Sequence, residues 1–215
     1  MTKKNLTILI IILISIITFN NQITKETIIN EVKTNNKISY YKEQYNNEDI
    51  IARLEIPELI NILIVKGQDN EYYLNHSINK EQDKKGTEFM DYRNTPSSNH
   101  INIYGHNSKT YDLPFKRIEK FLQKEFFKTN KYIYLEFEEF TKKYLIFSIK
   151  EVSTDFIHMN ISSSNIKEKI DKIKNKSIHI REINYNNNSN ILILQTCSYN
   201  KKKSFYLLSA IEVEN

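Results

Sequence analysis

The sequence predicts a mainly β fold, a closed or nearly closed barrel of about eight strands with two helical insertions. Three observations predict it. Short runs rich in Ile, Val, Tyr and Phe recur along residues 49–215, separated by Asn, Asp, Ser and Lys clusters. Two stretches, after Pro114 and after Asn165, replace that alternation with a helical apolar period. Apolar residues make up 40% of the chain and aromatics 12%, enough for a real core and against global disorder.

The elements follow in order. Lys3 and Lys4 precede an apolar run from Leu6 to Phe19 with no small-residue cleavage site after it. Residues 1–23 are therefore expected to form a signal-anchor, basic flank inside and body of the protein outside, with a cleaved signal peptide as the alternative. Residues 24–48 are polar with Ile28, Ile29 and Val32 at helical spacing, and read as a helical stalk. The globular domain is placed at 49–215. Strands are expected at Ile51–Ile56, Ile62–Val65, Thr87–Met90 and Ile101–Tyr104. Pro114 suits a first helical turn, and Phe115, Ile118, Phe121 and Leu122 share a face. Two longer strands follow, Lys131–Phe137 and Lys143–Val152. Asn165 with Glu168 resembles a capping box, opening a helix to Lys174. Asn190–Gln195 and Phe205–Val213 complete the β set.

Charge and cysteine usage narrow the function. The net charge of +5 comes from interspersed signs, without the basic stripe and reading motif that nucleic acid needs. The densest basic cluster is Lys201-Lys202-Lys203. A single cysteine excludes an intramolecular disulfide. A lone cysteine is more often a small buried hydrophobe than a nucleophile, so its neighbours must argue for chemistry. No metal-ligand cluster is evident and no cofactor is implied.

Two strand ends concentrate reactive groups. Ile101–Tyr104 runs into Gly105, His106 and Asn107, and Ile191–Thr196 ends on Cys197. A strand end fixes the geometry of a nucleophile. A thiol near its ordinary pKa of about 8.5 needs an imidazole partner, which then protonates the leaving amine. His76, His100, His158 and His179 are the rival partners, but none follows a comparable Gly-His turn.

These residues resemble a family. Thr196-Cys197 resembles the end of the Thr-Leu-x-Thr-Cys signature of sortases, and Tyr104-Gly105-His106-Asn107 resembles their catalytic-histidine strand. Asp69–Leu74, Gly86–Asn94 and Thr196–Tyr199 are similar to class B members, as is the helix near 165–174; the resemblance covers about residues 25–213. It implies an eight-stranded sortase-type barrel on the outer face of a Gram-positive cell membrane. It implies a cysteine transpeptidase that cuts a sorting-signal peptide after Thr, through a thioacyl intermediate. An amine acceptor from cell-wall precursor or a pilin resolves the intermediate. Cys197 would be the nucleophile and His106 the acid/base. Asn107, Gln195, Thr196, Ser198 and Tyr199, which flank the pair, are the candidate substrate contacts. Class B members generally do not need calcium, and the resemblance favours an Asn-Pro-x-Thr-like or Pro-Pro-x-Thr-like signal.

The resemblance breaks at one position. The family's third catalytic residue is an Arg on the last strand, expected eight residues after the cysteine, where this chain has Phe205. No Arg follows Cys197 at all. Lys203 is the first candidate substitute, since it shares a strand face with Phe205. Arg93 or another upstream Arg folding into the site, a shifted register, and a catalytically impaired sortase-like surface binding module are the alternatives. A cysteine hydrolase that passes its acyl group to water is a further one. Ile193 stands where the signature usually has Thr.

Overall fold

The computed structural model describes residues 38–153, 165–198 and 204–214. The expected signal-anchor and most of the stalk lie outside the described residues. Among the described residues no helix is long and apolar enough to cross a membrane.

Helix α1 (Ile38–Tyr45) is the described end of the stalk region. It buries Ile38 against Ile50, Val65, Tyr73 and Phe89, so it packs on the barrel. Strands β1 (Ile50–Ile56) and β2 (Ile60–Val65) form an antiparallel hairpin. β3 (Phe89–Met90) adds parallel to β2, and β4 (His100–Tyr104) antiparallel to β3. A 3-10 helix over Pro114–Leu122 leads into α2 (Lys124–Thr129). β5 (Tyr132–Glu136) and β6 (Thr141–Ser153) form the next hairpin. After α3 (Ile166–Lys174) come β7 (His179–Ile180), β8 (Ile191–Ser198) and β9 (Ser204–Val213).

The strands pair in the order β5-β1-β2-β3-β4-β8-β9-β6, and β5 also pairs with β6. That pairing closes an eight-stranded barrel and removes its edges. The ninth strand, β7, lies outside the ring on β6 and was not expected from the sequence; it has two residues, too few to show a period.

Alternation sorts the residues into two layers. Ala52, Leu54 and Ile56 of β1, Ile101 and Ile103 of β4, and Leu192 and Leu194 of β8 fill the barrel. Ile191 and Ile193 point outward, yet are as buried as the interior. They meet Phe147, Val152, Leu207 and Ile211 and are covered by Ile170 and Ile173 of α3. A strand covered on both faces reads as a continuous apolar run, as Ile191–Leu194 does.

The helix expected at Pro114 is 3-10 rather than α. Phe115, Ile118 and Phe121 are all fully buried in the inner core and recur every three residues, the period of a 3-10 turn. The N-cap half of the capping box is formed, Asn165 Oδ1 accepting from the Glu168 N–H at 2.9 Å, while the return bond to the Glu168 carboxylate comes from the Asn165 side-chain Nδ2 at 3.3 Å.

Candidate active site

β4 and β8 run parallel in register, His100 beside Ile191 through Tyr104 beside Gln195. The pairing extends one step further, with the Gly105 N–H donating to the Gln195 carbonyl at 3.1 Å. Two residues beyond Tyr104 and Gln195 stand His106 and Cys197. Asn107 confirms that the two chain ends meet: its Nδ2 donates to the Cys197 carbonyl at 2.8 Å.

Gly105 is needed for close approach rather than for a turn. A Cβ there would sit 2.6 Å from the Phe115 ring and 2.7 Å from Glu88 Cγ. Burial raises the Glu88 carboxyl to about 7.

His106 is held from behind. Its Nε2 lies 2.7 Å from the Leu74 carbonyl. A carbonyl only accepts, so Nε2 carries a proton and Nδ1 is the nitrogen left to exchange one with the thiol. Leu74 ends the 3-10 turn Tyr72–Leu74, and Gly86, at φ +63°, packs over it. A Cβ on Gly86 would stand 2.6 Å from the Tyr73 carbonyl, 2.8 Å from that of Leu74 and 3.0 Å from His106 Cδ2.

Cys197 is half-buried, and burial pushes its thiol upward. By alternation its side chain lies on the outer face of β8 with Gln195, while Thr196 and Ser198 point inward. Gln195 Oε1 is buried on the thiol's face without a hydrogen-bond partner among the described residues. The Thr196 hydroxyl is likewise buried without one.

The other flanking residues turn their polar atoms into the protein. Asn107 is 6% exposed, and its Nδ2 also donates to Glu119 Oε1 at 2.7 Å. Its Oδ1 accepts from the Ser108 N–H at 2.8 Å. The Ser198 hydroxyl donates to Glu151 Oε1 at 2.6 Å, and Ser204 donates to the same oxygen at 3.0 Å. One carboxylate thus ties together both ends of the β8–β9 connection. Tyr199 and Lys203 lie outside the described residues.

Phe205 is the direct cross-strand partner of Cys197 and packs against the outer core. The four arginines of the sequence are all engaged elsewhere. Arg53 bonds Glu136 and Glu55, and Arg117 bonds Asp112. Arg181 donates to the carbonyls of Ile146, Phe127 and Lys128. Arg93 forms a fork on Asp91 through Nε at 2.8 Å and NH2 at 2.7 Å. Burial would raise the Asp91 carboxyl, but bonds from Arg93, Tyr104 and Asn70 outweigh it and hold it at about 2. Arg93 therefore belongs to a structural network.

The rival histidines have other roles. His76 stacks on Tyr72 at 3.9 Å, His100 bonds Asn102, and His179 bonds the Leu122 carbonyl. His158 lies outside the described residues. Sequence reasoning missed the Leu74 carbonyl, Glu119 and Glu151. The first acts through its backbone and leaves no side-chain signal, although it closes the Asp69–Leu74 stretch. The two glutamates lie in ordinary helical and strand patterns, where nothing marks them.

The comparisons with known proteins agree with this geometry. The sortase-domain family profile matches residues 54–210. Sortase B of Listeria monocytogenes is 29% identical over 161 residues, covering 72% of this chain and 65% of that protein. The chain thus spans just under two thirds of that relative's length. Clostridium perfringens sortase B superposes with a TM-score of 0.74 at 28% identity, over 80% of this chain and 100% of that one. A Streptococcus pyogenes class B sortase involved in pilus biogenesis gives 0.73 at 26%, over 78% and 94%. The eight-stranded barrel is the one these proteins share, and the chain belongs to the sortase family, most like its class B members.

Proposed function

We propose that the chain is a cysteine transpeptidase that cleaves a sorting-signal peptide after Thr and transfers the acyl group to an amine. The observation that supports this reading is the parallel β4–β8 register, from whose adjacent strand ends His106 and the only thiol both follow by two residues. The Cys197 sulfur attacks the scissile carbonyl while Nδ1 of His106 takes the thiol proton. The same imidazole returns that proton to the leaving amine, which departs and leaves a thioacyl enzyme. An acceptor amine from cell-wall precursor or pilin attacks next, gives a proton to His106, and expels the thiolate. The unpartnered Gln195 oxygen offers a buried acceptor to a peptide N–H on the thiol's face. In this reading the segment 1–23 holds the enzyme on the outer face of the membrane.

The oxyanion needs a cation, and none of the four arginines is free for it. Lys203 takes that role here, giving charge without a planar fork. Phe205 opposite Cys197 is the specific observation that favours a second reading, a slow or impaired sortase that binds signals without turning them over.

Full-length chain in detergent micelles, incubated with Asn-Pro-x-Thr and Pro-Pro-x-Thr peptides, separates the readings. An acyl mass on Cys197 that is chased by added amine supports the transpeptidase. Release to water with no amine product makes it a hydrolase, and binding without an adduct leaves the impaired module. Lys203→Ala should cut turnover at least tenfold more than Lys201→Ala, a fraction of the loss typical for one oxyanion donor. Equal effects would remove Lys203 from the site.

A further inference from the structure

The nucleophile's backbone rests on a chain of side-chain bonds that plays no part in the chemistry described so far. Asn107 follows the candidate acid/base directly. One amide nitrogen, Asn107 Nδ2, reaches two acceptors, the Cys197 carbonyl at 2.8 Å and Glu119 Oε1 at 2.7 Å. An amide nitrogen has two hydrogens, so both bonds form at once and use it fully. Asn107 Oδ1 is bound by the Ser108 N–H, which fixes the amide's orientation. Glu119 comes from the 3-10 helix whose Phe115, Ile118 and Phe121 are anchored in the inner core. The chain of contacts therefore runs from a rigid element, through a carboxylate and an amide, to the peptide bond of the nucleophile.

We infer that Glu119 and Asn107 are positioning residues that lock the Cys197 strand end to the His106 loop. Among the described residues the backbone bonding between this loop and β8 ends at Gly105 N–H to the Gln195 carbonyl, and the Asn107 amide takes over from it. Without the carboxylate, one amide hydrogen loses its acceptor in a nearly closed site, and the amide turns to satisfy it. The Cys197 carbonyl then loses its donor. A shift near 1 Å between reacting groups is enough to cost about 10²-fold in rate. The clamp bears on the reaction through Cys197 and His106 acting together, as proposed above. Its effect on the thiol is independent of the sorting signal and the acceptor.

The test compares Glu119→Ala with Glu119→Gln in the full-length chain. Glutamine keeps an acceptor oxygen for Asn107, whereas alanine removes it. The first readout is the rate of Cys197 alkylation by iodoacetamide from pH 5 to 10, which needs no substrate. The second is kcat and KM for signal-peptide cleavage. Glu119→Ala should displace the alkylation profile along the pH axis, because the imidazole no longer faces the thiol as before. It should also lower kcat about tenfold or more at unchanged KM. Glu119→Gln should restore both. An alkylation profile for Glu119→Ala that superimposes on the wild type overturns the inference. So does a Glu119→Gln variant as damaged as alanine. If no chain cleaves any peptide while the alanine profile is displaced and glutamine restores it, the clamp stands and the transpeptidase reading falls.

Discussion

Glu88→Gln should stabilise the protein at alkaline pH and leave it unchanged in acid. Glu88 is half-buried against Gly105, and burial raises its carboxyl from the ordinary 4.5 to about 7. The folded state thus keeps a proton that the unfolded chain gives up near 4.5. Stability from this group is complete below 4.5 and drains away as pH rises to about 7. Above that, the native protein carries a poorly solvated charge. The displacement of about 2.5 units corresponds to roughly 3 kcal/mol, discounted to about 2–3 kcal/mol for partial solvent access. Glutamine has the same shape and no proton to lose. Urea unfolding at intervals from pH 4.5 to 8.5 should show the two proteins coinciding in acid and separating by about 2–3 kcal/mol at the alkaline end. In a melt this is about 5–10 °C for a chain of this size. Other titrating groups cancel in the difference between variants. Stability curves that stay parallel across that range would show that Glu88 is solvated in the folded state and refute the reasoning.

Asp91→Asn should cost about 2 kcal/mol at neutral pH, since the folded carboxyl sits near 2; that cost should shrink as pH falls from about 4 to 2, by thermal melts in acid. Gly86→Ala should lose about 1–2 kcal/mol to left-handed backbone strain alone, and more from the Tyr73 and Leu74 carbonyls in its way. Its cleavage rate should fall with it as the Leu74–His106 bond is displaced, and a variant with full stability and rate would show that bond to be dispensable. Phe205→Arg should raise acylation of Cys197 at least tenfold over the wild type if the site lacks an oxyanion donor, read by intact mass against time. An unchanged rate would mean that another cation already fills that role.

The barrel was legible because its evidence is periodic. Ile50–Ile56 alternates cleanly between buried and partly exposed residues, and Ile191–Leu194 is apolar throughout because both of its faces are covered. What periodicity could not supply was the type of the Pro114 helix, although its three-residue spacing was already in the sequence. Nor could it supply β7, which is held by backbone bonds to β6. At the site, Cys197 and His106 were legible as strand-end residues with unusual neighbours. The supports were not: Leu74 acts through a carbonyl, and Glu119 and Glu151 meet their partners only once the barrel closes. In the sequence Gly105 looks like a turn residue, whereas in the structure it permits close packing, a distinction that depends on where Phe115 and Glu88 lie.

Phe205 fits the frame of the sheet whatever the proposed site asks of that position. The position is an ordinary β9 residue, paired with Cys197 on one side and Val152 on the other. Phenylalanine favours a strand, and here it joins the outer core beneath α3. The sheet therefore accommodates Phe at this position, and on the transpeptidase proposal any cost of lacking a cation there would fall on the reaction. An apolar ring beside a half-buried thiol also makes thiolate harder to form, in keeping with the direction in which burial moves Cys197. A cation arriving with Lys201–Lys203, in the connection whose two ends Glu151 ties together, would act on both difficulties at once. It would stabilise the thiolate before attack and the oxyanion after it. Glu151→Gln should then slow acylation even though Glu151 lies on the inner face, away from the thiol, because Glu151 bonds Ser198 and Ser204 at the two ends of that connection. An unchanged acylation rate would mean that the connection's placement does not limit the chemistry.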